Sequence, residues 1–239
     1  MITTNNYFMK NILLICLIFA LYSCGPTAYV EKPNILGSSH VWTNYHSTIK
    51  DIKIGDLNIK QVRISDSSCS QGFKDVIELD GIINNDATIV IEKILKEIQN
   101  GIGQCSQSGS EFTEITLNSD GGYLVEGIAL GRIFRKYNVM SSLTKDQKCR
   151  SACSTAFLGA KYRKMSNDAL LMMHSPYLDY GSSIKCASKK EASILKEYYI
   201  DMLGADVGNL LYKRTMQYCS KSDGWKLNPD AAEILGILN

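Results

Sequence analysis

From Asp75 to Met173 the chain alternates short apolar strand runs with stretches of helical period, and this alternation limits the fold more than any other feature. Val76-Ile77-Glu78-Leu79 is a short strand, and Asp80-Gly81 and Asn84-Asn85 supply turn chemistry. Asp86 suits a helix N-cap ahead of Ile89, Val90, Ile94, Leu95 and Ile98, which recur at helical spacing until Gly101 stops the run. Phe112 to Leu117 is a second strand, followed by a helix carrying Leu124, Ile128, Ala129, Arg132 and Ile133. Val139 to Leu143 is a third strand, Ser151 to Gly159 a short helix of small residues, and Leu170 to Met173 a further strand. Helices from about Lys189 to Met202 and from Val207 to Tyr218 follow. Strands separated by helices of this length predict an α/β fold with a parallel sheet and right-handed crossovers. Ligand sites in such sheets lie beyond the carboxyl ends of the strands. Gly121-Gly122, Ser151 and His174 all fall at such ends.

The rest of the chain bears on location. A length of 239 residues suits one domain with a short extension, and 26 basic against 24 acidic residues leave no nucleic-acid footprint. Ile12 to Leu21 is an apolar run preceded by Lys10, too short to span a bilayer comfortably but suited to the h-region of a signal peptide. Leu21-Tyr22-Ser23-Cys24 then resembles the lipobox of bacterial lipoproteins, in which the cysteine becomes the lipidated first residue. The expected organisation is a lipoprotein-type signal over 1–23, a tether and N-terminal extension over 24–72 with short strands near Ile52–Ile54 and Val62–Ile64, and an α/β domain over 73–239. The protein would be exported and anchored to the membrane, facing the periplasm. A cleaved secretory signal and a single membrane-spanning anchor are the second and third readings. His40 and His46, with no third ligand, read as surface residues.

Beyond Cys16 and Cys24, six cysteines remain: Cys69, Cys105, Cys149, Cys153, Cys186 and Cys219. An even number in an exported chain points to disulfides, and six cysteines allow 15 pairings, so the connectivity stays open. Cys149 and Cys153 are spaced CxxxC, but no second close pair and no nearby histidine completes a zinc set, so no metal is expected.

Three short segments bear chemistry. In Ser119-Asp120-Gly121-Gly122 two glycines between strand and helix permit a tight turn and leave amides uncovered for an anion. In Cys149-Arg150-Ser151-Ala152-Cys153 the serine opens a helix; it is either an N-cap or a nucleophile beside an amide that stabilises an oxyanion. A serine nucleophile needs a base, and His174 closes an apolar strand. Asp201, Asp206 and Asp223 are all candidates for the acid that orients the imidazole.

Gly121-Gly122, Ser151-Ala152, Phe157-Leu158-Gly159, Arg163 and Met172-Met173-His174-Ser175-Pro176 resemble, in order, the motifs of the Clp protease proteolytic subunit. The Cys-x-Ser-Ala-Cys form of the serine motif is similar to that of periplasmic proteins of the same Clp/crotonase superfamily. The 29 residues from Gly122 to Ser151, and the interval from Arg163 to His174, agree with the Clp pattern. The tail from Asp223-Gly224-Trp225-Lys226-Leu227 through Ala232-Glu233 to Leu235-Gly236-Ile237 is similar to the closing motif. The resemblance covers about residues 75–239. It implies a spiral of ββα units with a C-terminal helical region, Ser151 as nucleophile, His174 as general base, Asp223 as orienting acid, and the amides of Gly122 and Ala152 as oxyanion hole. It implies a peptide or unfolded-protein substrate, assembly into homo-oligomers, and no cofactor. Exported protein meets no ATP, so an ATP-dependent unfoldase is not expected as partner.

Several features depart from the family pattern. The interval from Ser151 to His174 is a couple of residues shorter, Asp120 stands where proline is usual, and the closing motif needs a one-residue insertion before Gly236. The cysteines flanking Ser151 are absent from the Clp subunit; a Cys149–Cys153 disulfide would close a tight loop around the nucleophile. The alternative function is a non-catalytic Clp-fold binding or scaffold lipoprotein. A Ser–Lys dyad using Lys161 or Lys164 is a variant of the hydrolase reading, and crotonase-like acyl chemistry ranks last because an exported compartment holds little coenzyme A.

Overall fold

The computed structural model describes residues 46–239 apart from 102, 108 and 109. The signal segment, Cys24 and His40 lie outside the described residues. Among the described residues no helix is long and apolar enough to cross a membrane.

Strands β1 (His46–Ile54) and β2 (Leu57–Ser65) form a hairpin, and β2 pairs antiparallel along its length with β3 (Phe73–Gly81). Residues 46–65, expected to hold short strands near Ile52–Ile54 and Val62–Ile64, form two nine-residue strands of the main sheet. Nothing in β1 is fully buried, whereas Leu57, Ile59 and Val62 of β2 enter the core. After β3 the pairing turns parallel through β6 (Glu114–Asn118), β7 (Met140–Leu143) and β9 (Tyr162–Met165), giving the order β1-β2-β3-β6-β7-β9. The expected parallel sheet is thus mixed, with its antiparallel part at one edge. A small hairpin, β4 (Cys105–Gln107) and β5 (Ser110–Phe112), precedes β6. A second sheet has the order β13-β10-β8: β8 (Lys148–Arg150) runs parallel to β10 (Leu170–Met173), and β13 (Trp225–Leu227) runs antiparallel to it.

The chain moves between the two sheets in a repeating spiral. Each turn gives a strand to the large sheet, then a short extended segment, then a helix. The first turn is β3, Ile83 and α1 (Ala87–Asn100); the second is β6, residues 119–122 and α2 (Leu124–Lys136). The third is β7, β8 and α3 (Ala152–Gly159); the fourth is β9 and β10, followed by a hairpin of β11 (Tyr177–Asp179) and β12 (Ile184–Cys186). Parallel bridges Ile83↔Gly122 and Ser119↔Cys149 link successive turns. Helices α4 (Ser193–Leu203), α5 (Ala205–Thr215) and α6 (Pro229–Ile234) make up the C-terminal region.

Local chemistry explains the joints. Asp86 does not cap α1 with its side chain; its backbone is left-handed at φ 74°. The cap comes from α2 instead, where the Glu126 carboxylate accepts from the Thr88 amide at 2.7 Å and places a negative charge at the positive end of α1. Helix α3 is buried along all eight residues, which is why its sequence is small and apolar without a polar stripe. It crosses α2 at close range: a Cβ on Gly159 would lie 2.3 Å from the Gly131 backbone. Full burial of Phe157 and Leu158 contributes about 1.5–3 kcal/mol each. Past the C-terminus of α3, the buried Arg163 guanidinium donates to the carbonyls of Leu158, Ala160 and Ile237. Burial and, next, Arg135 push it down to about 10, which leaves it charged at neutral pH.

Three disulfides settle the connectivity: Cys69–Cys105, Cys149–Cys153 and Cys186–Cys219. Near the first of them the Lys74 ammonium pairs with Glu114 at 2.7 Å and with Asp66 at 3.1 Å, joining β3 to β6. Burial opposes both charges, but Ser68 and Lys74 hold the Asp66 carboxyl below its ordinary 3.8, while Glu114 and Asp66 hold Lys74 above its ordinary 10.5. The Asp66 contribution is present above its unfolded value and is lost as pH falls through the lower folded value. The Lys74 contribution is present below its unfolded value and is lost as pH rises through the higher folded one. Unfolding free energy measured against pH is expected to fall less steeply on the acid side in Lys74→Met than in the natural chain.

Candidate active site

The three segments singled out by sequence occupy equivalent places in successive turns of the spiral. Each lies at the end of, or just beyond, the short extended segment that the turn contributes beyond the large sheet: Gly122 in the second turn, Ser151 in the third, His174 in the fourth. Parallel register sets their level. Ser119 pairs with Cys149, and Arg150 pairs with Met172, so the residues just beyond those pairs gather at one end of the second sheet.

Ser151 lies between β8 and α3 with φ 53° and ψ −120°, a region that residues with a side chain seldom occupy. Its side chain makes no capping bond to α3, so the N-cap reading does not hold. Neighbours hold the turn. The Ser151 amide donates to the Met172 carbonyl at 2.8 Å, and the Ser151 carbonyl accepts from the Thr155 amide at 3.1 Å. Behind it the buried Ser154 hydroxyl lies 2.8 Å from the Cys149 carbonyl and 2.7 Å from that of Met172, bridging β8 and β10. A strained strand-to-helix turn that presents a serine is the backbone form of a nucleophile elbow.

The paired glycines are required by space. A Cβ on Gly121 would lie 2.7 Å from the Ser151 Cβ, and one on Gly122 would lie 1.9 Å from the Ile83 carbonyl oxygen. Gly122 also has φ 143°. The Ile83 amide donates to the Gly121 carbonyl at 2.7 Å and the Tyr123 amide to the Ile83 carbonyl at 3.0 Å. In such a bridge the Gly122 amide faces the other way, away from Ile83. Neither this amide nor that of Ala152, the first residue of α3, has a protein acceptor among the described residues.

His174 is buried, and its ring stacks on Tyr177 with centroids 5.4 Å apart. Its Nδ1 lies 3.0 Å from the Ser175 carbonyl oxygen. A carbonyl only accepts, so Nδ1 carries a proton in this bond, and in the neutral form of the ring the lone pair is on Nε2. Ser151 and His174 are not hydrogen-bonded to each other among the described contacts; catalytic hydrogen bonds are often long before substrate closes the site. A cleft of about 220 Å³ is lined by Pro176, Tyr177, Leu178, Lys185, Cys186, Ala187 and Glu191, and Tyr177, on which the His174 ring stacks, is part of its wall.

Among the described contacts Asp223 makes no hydrogen bond to His174. Antiparallel pairing of Trp225 with Met173 runs its backbone alongside the end of β10, but its exposed carboxylate turns to Lys226 at 3.0 Å. The Lys226 ammonium and the Gly224 amide hold that carboxyl below its ordinary 3.8. Asp201 pairs with Arg132 at 3.1 Å, and Asp206 sits in the first turn of α5. The orienting partner of the imidazole is the Ser175 carbonyl, a backbone group that no side-chain motif announces. Lys161 and Lys164 belong to the large sheet's β9 side; the Lys161 ammonium lies over the Tyr162 ring at 5.4 Å.

Sequence reasoning also passed over an ion pair. Arg150 Nη1 meets Asp120 Oδ1 at 3.1 Å, linking the residue before Ser151 to the residue before Gly121. The signal was present, in opposite charges each just ahead of a motif. It accounts for an aspartate at position 120.

No protein-family model matches the sequence, and no curated protein matches it. Solved structures do. A mutant of the 1510-N membrane-bound stomatin-specific protease superposes with a TM-score of 0.54 at 14% identity, over 68% of this chain and 75% of that one. The fold is a Clp-type protease fold. Another mutant of that protease, in complex with a substrate peptide, matches with a TM-score of 0.54 at 13% identity, over 68% of this chain and 71% of that one. ClpP1 from Listeria monocytogenes matches with a TM-score of 0.48 at 18% identity, over 69% of this chain and 88% of that one. At these identities the likeness is one of fold, so the chemistry of this Clp-type fold has to be argued from its own residues.

Proposed function

We propose that this chain is an exported serine peptidase, held at the membrane by a lipid on Cys24 and acting through Ser151 and His174. The observation that carries the reading is the Ser151 backbone, a strained conformation at a strand-to-helix turn, level with a histidine whose Nε2 is free. Strain of this kind costs about 1–3 kcal/mol and persists where its surroundings hold it, most often at functional sites.

In this mechanism Ser151 Oγ attacks the substrate carbonyl carbon while His174 Nε2 takes the hydroxyl proton. The Gly122 and Ala152 amides stabilise the oxyanion. The C–N bond breaks as His174 returns the proton to the leaving amine, which leaves an ester on Ser151. Water then gives a proton to His174 and its oxygen to the ester carbonyl. The acid product leaves and Ser151 regains its proton. The Ser175 carbonyl orients the imidazole throughout. An apolar side chain of the peptide would fit the cleft at Pro176, Tyr177 and Leu178. Short or unfolded peptides are the proposed substrates, cut without an unfoldase, and assembly of several copies around them is part of the proposal.

The test is hydrolysis of short fluorogenic peptides by the full-length protein in detergent. Turnover by the natural chain and loss in Ser151→Ala is the expected result; turnover that survives Ser151→Ala contradicts the reading. Gly122→Ala is expected to cut kcat by roughly a hundredfold, the scale of losing one oxyanion donor. The reason is that its Cβ has no room against Ile83 and the loop must shift. The anchor has its own test: processing sensitive to globomycin, abolished by Cys24→Ala.

A further inference from the structure

The Cys149–Cys153 disulfide brackets Ser151, two residues on either side, with Cα atoms 5.1 Å apart. Cys149 belongs to β8 and Cys153 to α3, so the bond ties strand to helix across the turn rather than along a helix. Both cysteines are fully buried. Resting on the reading of Ser151 as nucleophile, we infer that this disulfide is a positioning element, which fixes the turn at Ser151 and with it the direction of the Ala152 N–H.

Loop length argues against a mainly global role. A cross-link stabilises a fold by constraining the unfolded chain, and its effect grows with the logarithm of the loop it closes. Here the separation is 4 residues, against 36 for Cys69–Cys105 and 33 for Cys186–Cys219. The benefit of the short bond is local.

The local geometry identifies what it holds. The Ser151–Ala152 peptide presents its carbonyl to the Thr155 amide, while its N–H, on Ala152, has no protein acceptor among the described residues. Rotation about the Ser151 ψ swings that N–H. Hydrogen bonds restrain the Ser151 amide and carbonyl, at Met172 and Thr155, but both can lengthen as the turn relaxes from its strained φ of 53°. The covalent ring through Cys149 and Cys153 contains both Ser151 torsions and resists that relaxation. Fixing a donor before the oxyanion forms is what makes such a donor effective.

The test compares full-length proteins in detergent by their saturation kinetics with a fluorophosphonate probe, which separates the maximal labelling rate, kinact, from probe affinity, KI. Cys149→Ala/Cys153→Ala is expected to lower kinact tenfold or more with KI unchanged. Cys69→Ala/Cys105→Ala, which removes a bond packed in a separate cluster with Phe112 and Met140, is expected to label at the natural rate despite a larger fall in Tm. A change in stability alone would not move kinact against KI. If the first double variant does not fold, the natural chain is reduced with a phosphine, with alkylation followed by mass at Cys149 and Cys153. Labelling is expected to fall in step with that alkylation, and to recover in unalkylated protein on reoxidation. Labelling at the natural rate in a folded Cys149→Ala/Cys153→Ala protein, or after both thiols are alkylated, overturns this inference alone. A natural chain that does not label overturns the nucleophile, and this inference with it.

Discussion

Ser151→Ala and His174→Ala are each expected to lower kcat/KM for peptide hydrolysis by roughly a thousandfold or more, while Asp223→Asn leaves it within about threefold. The contrast between the variants matters more than the size of either loss. In a triad with a working carboxylate, conversion to the amide costs about 10⁴ in kcat, because the histidine takes the wrong tautomer. Here the Nδ1 proton of His174 goes to the Ser175 carbonyl, and Asp223 is exposed and paired with Lys226. Neutralising Asp223 therefore releases a surface ion pair and leaves the imidazole as it was. A loss near 10⁴ in Asp223→Asn would mean that the carboxylate swings to His174 during turnover, and that the carbonyl is not the orienting partner.

Removing the Cys186–Cys219 bond as Cys186→Ala/Cys219→Ala is expected to lower stability by about 4 kcal/mol, from the loop it closes. Set against the 5–15 kcal/mol of an ordinary domain, that is a large share. For a chain of this size it corresponds to a fall of about 10 °C in Tm, readable by scanning calorimetry. A local effect is expected as well. The bond ties the β11–β12 hairpin to the segment after α5, and the Tyr218 carbonyl beside it accepts from the Ser175 amide at 2.8 Å. Ser175 is the residue whose carbonyl holds His174, so hydrolysis is expected to fall below what the residual folded fraction explains. A Tm within a degree or two of the natural chain would contradict the first expectation.

Much of this was legible in the sequence because the relevant patterns are local. The turn glycines, the helical spacing of Ile94, Leu95 and Ile98, and the all-small α3 report burial that depends on the element itself, although Ile89, read as part of the same apolar face, is exposed and Ile91 is buried in its place. Strand Leu170–Met173 falls where its apolar run lies. What stayed hidden depends on partners distant in sequence. The β1–β2 hairpin reads only as short strands near Ile52–Ile54 and Val62–Ile64, because β1 carries no fully buried residue and the burial of Leu57, Ile59 and Val62 in β2 depends on pairing with β3. The cap of α1 comes from Glu126, 38 residues away from Thr88, so Asp86 seemed the better candidate. Asp223 occupies the right stretch of backbone beside β10, but a strand pairing does not fix where a surface carboxylate points, and Lys226 captured it. The departure at Asp120 made sense only with Arg150 in view. The Cys149–Cys153 pairing stayed open among the 15 possibilities because it depends on where the helix begins: α3 starts only after Ser151, and the turn brings the two cysteines together.

The proposed peptidase activity requires Ser151 to be an activated nucleophile. The most direct measurement is the site of covalent modification when the full-length protein, in detergent, is exposed to a fluorophosphonate and digested for mass mapping. One adduct is expected, on Ser151, absent from Ser151→Ala and strongly reduced in His174→Ala. A folded natural chain that takes no label, or an adduct that persists in Ser151→Ala, would contradict it.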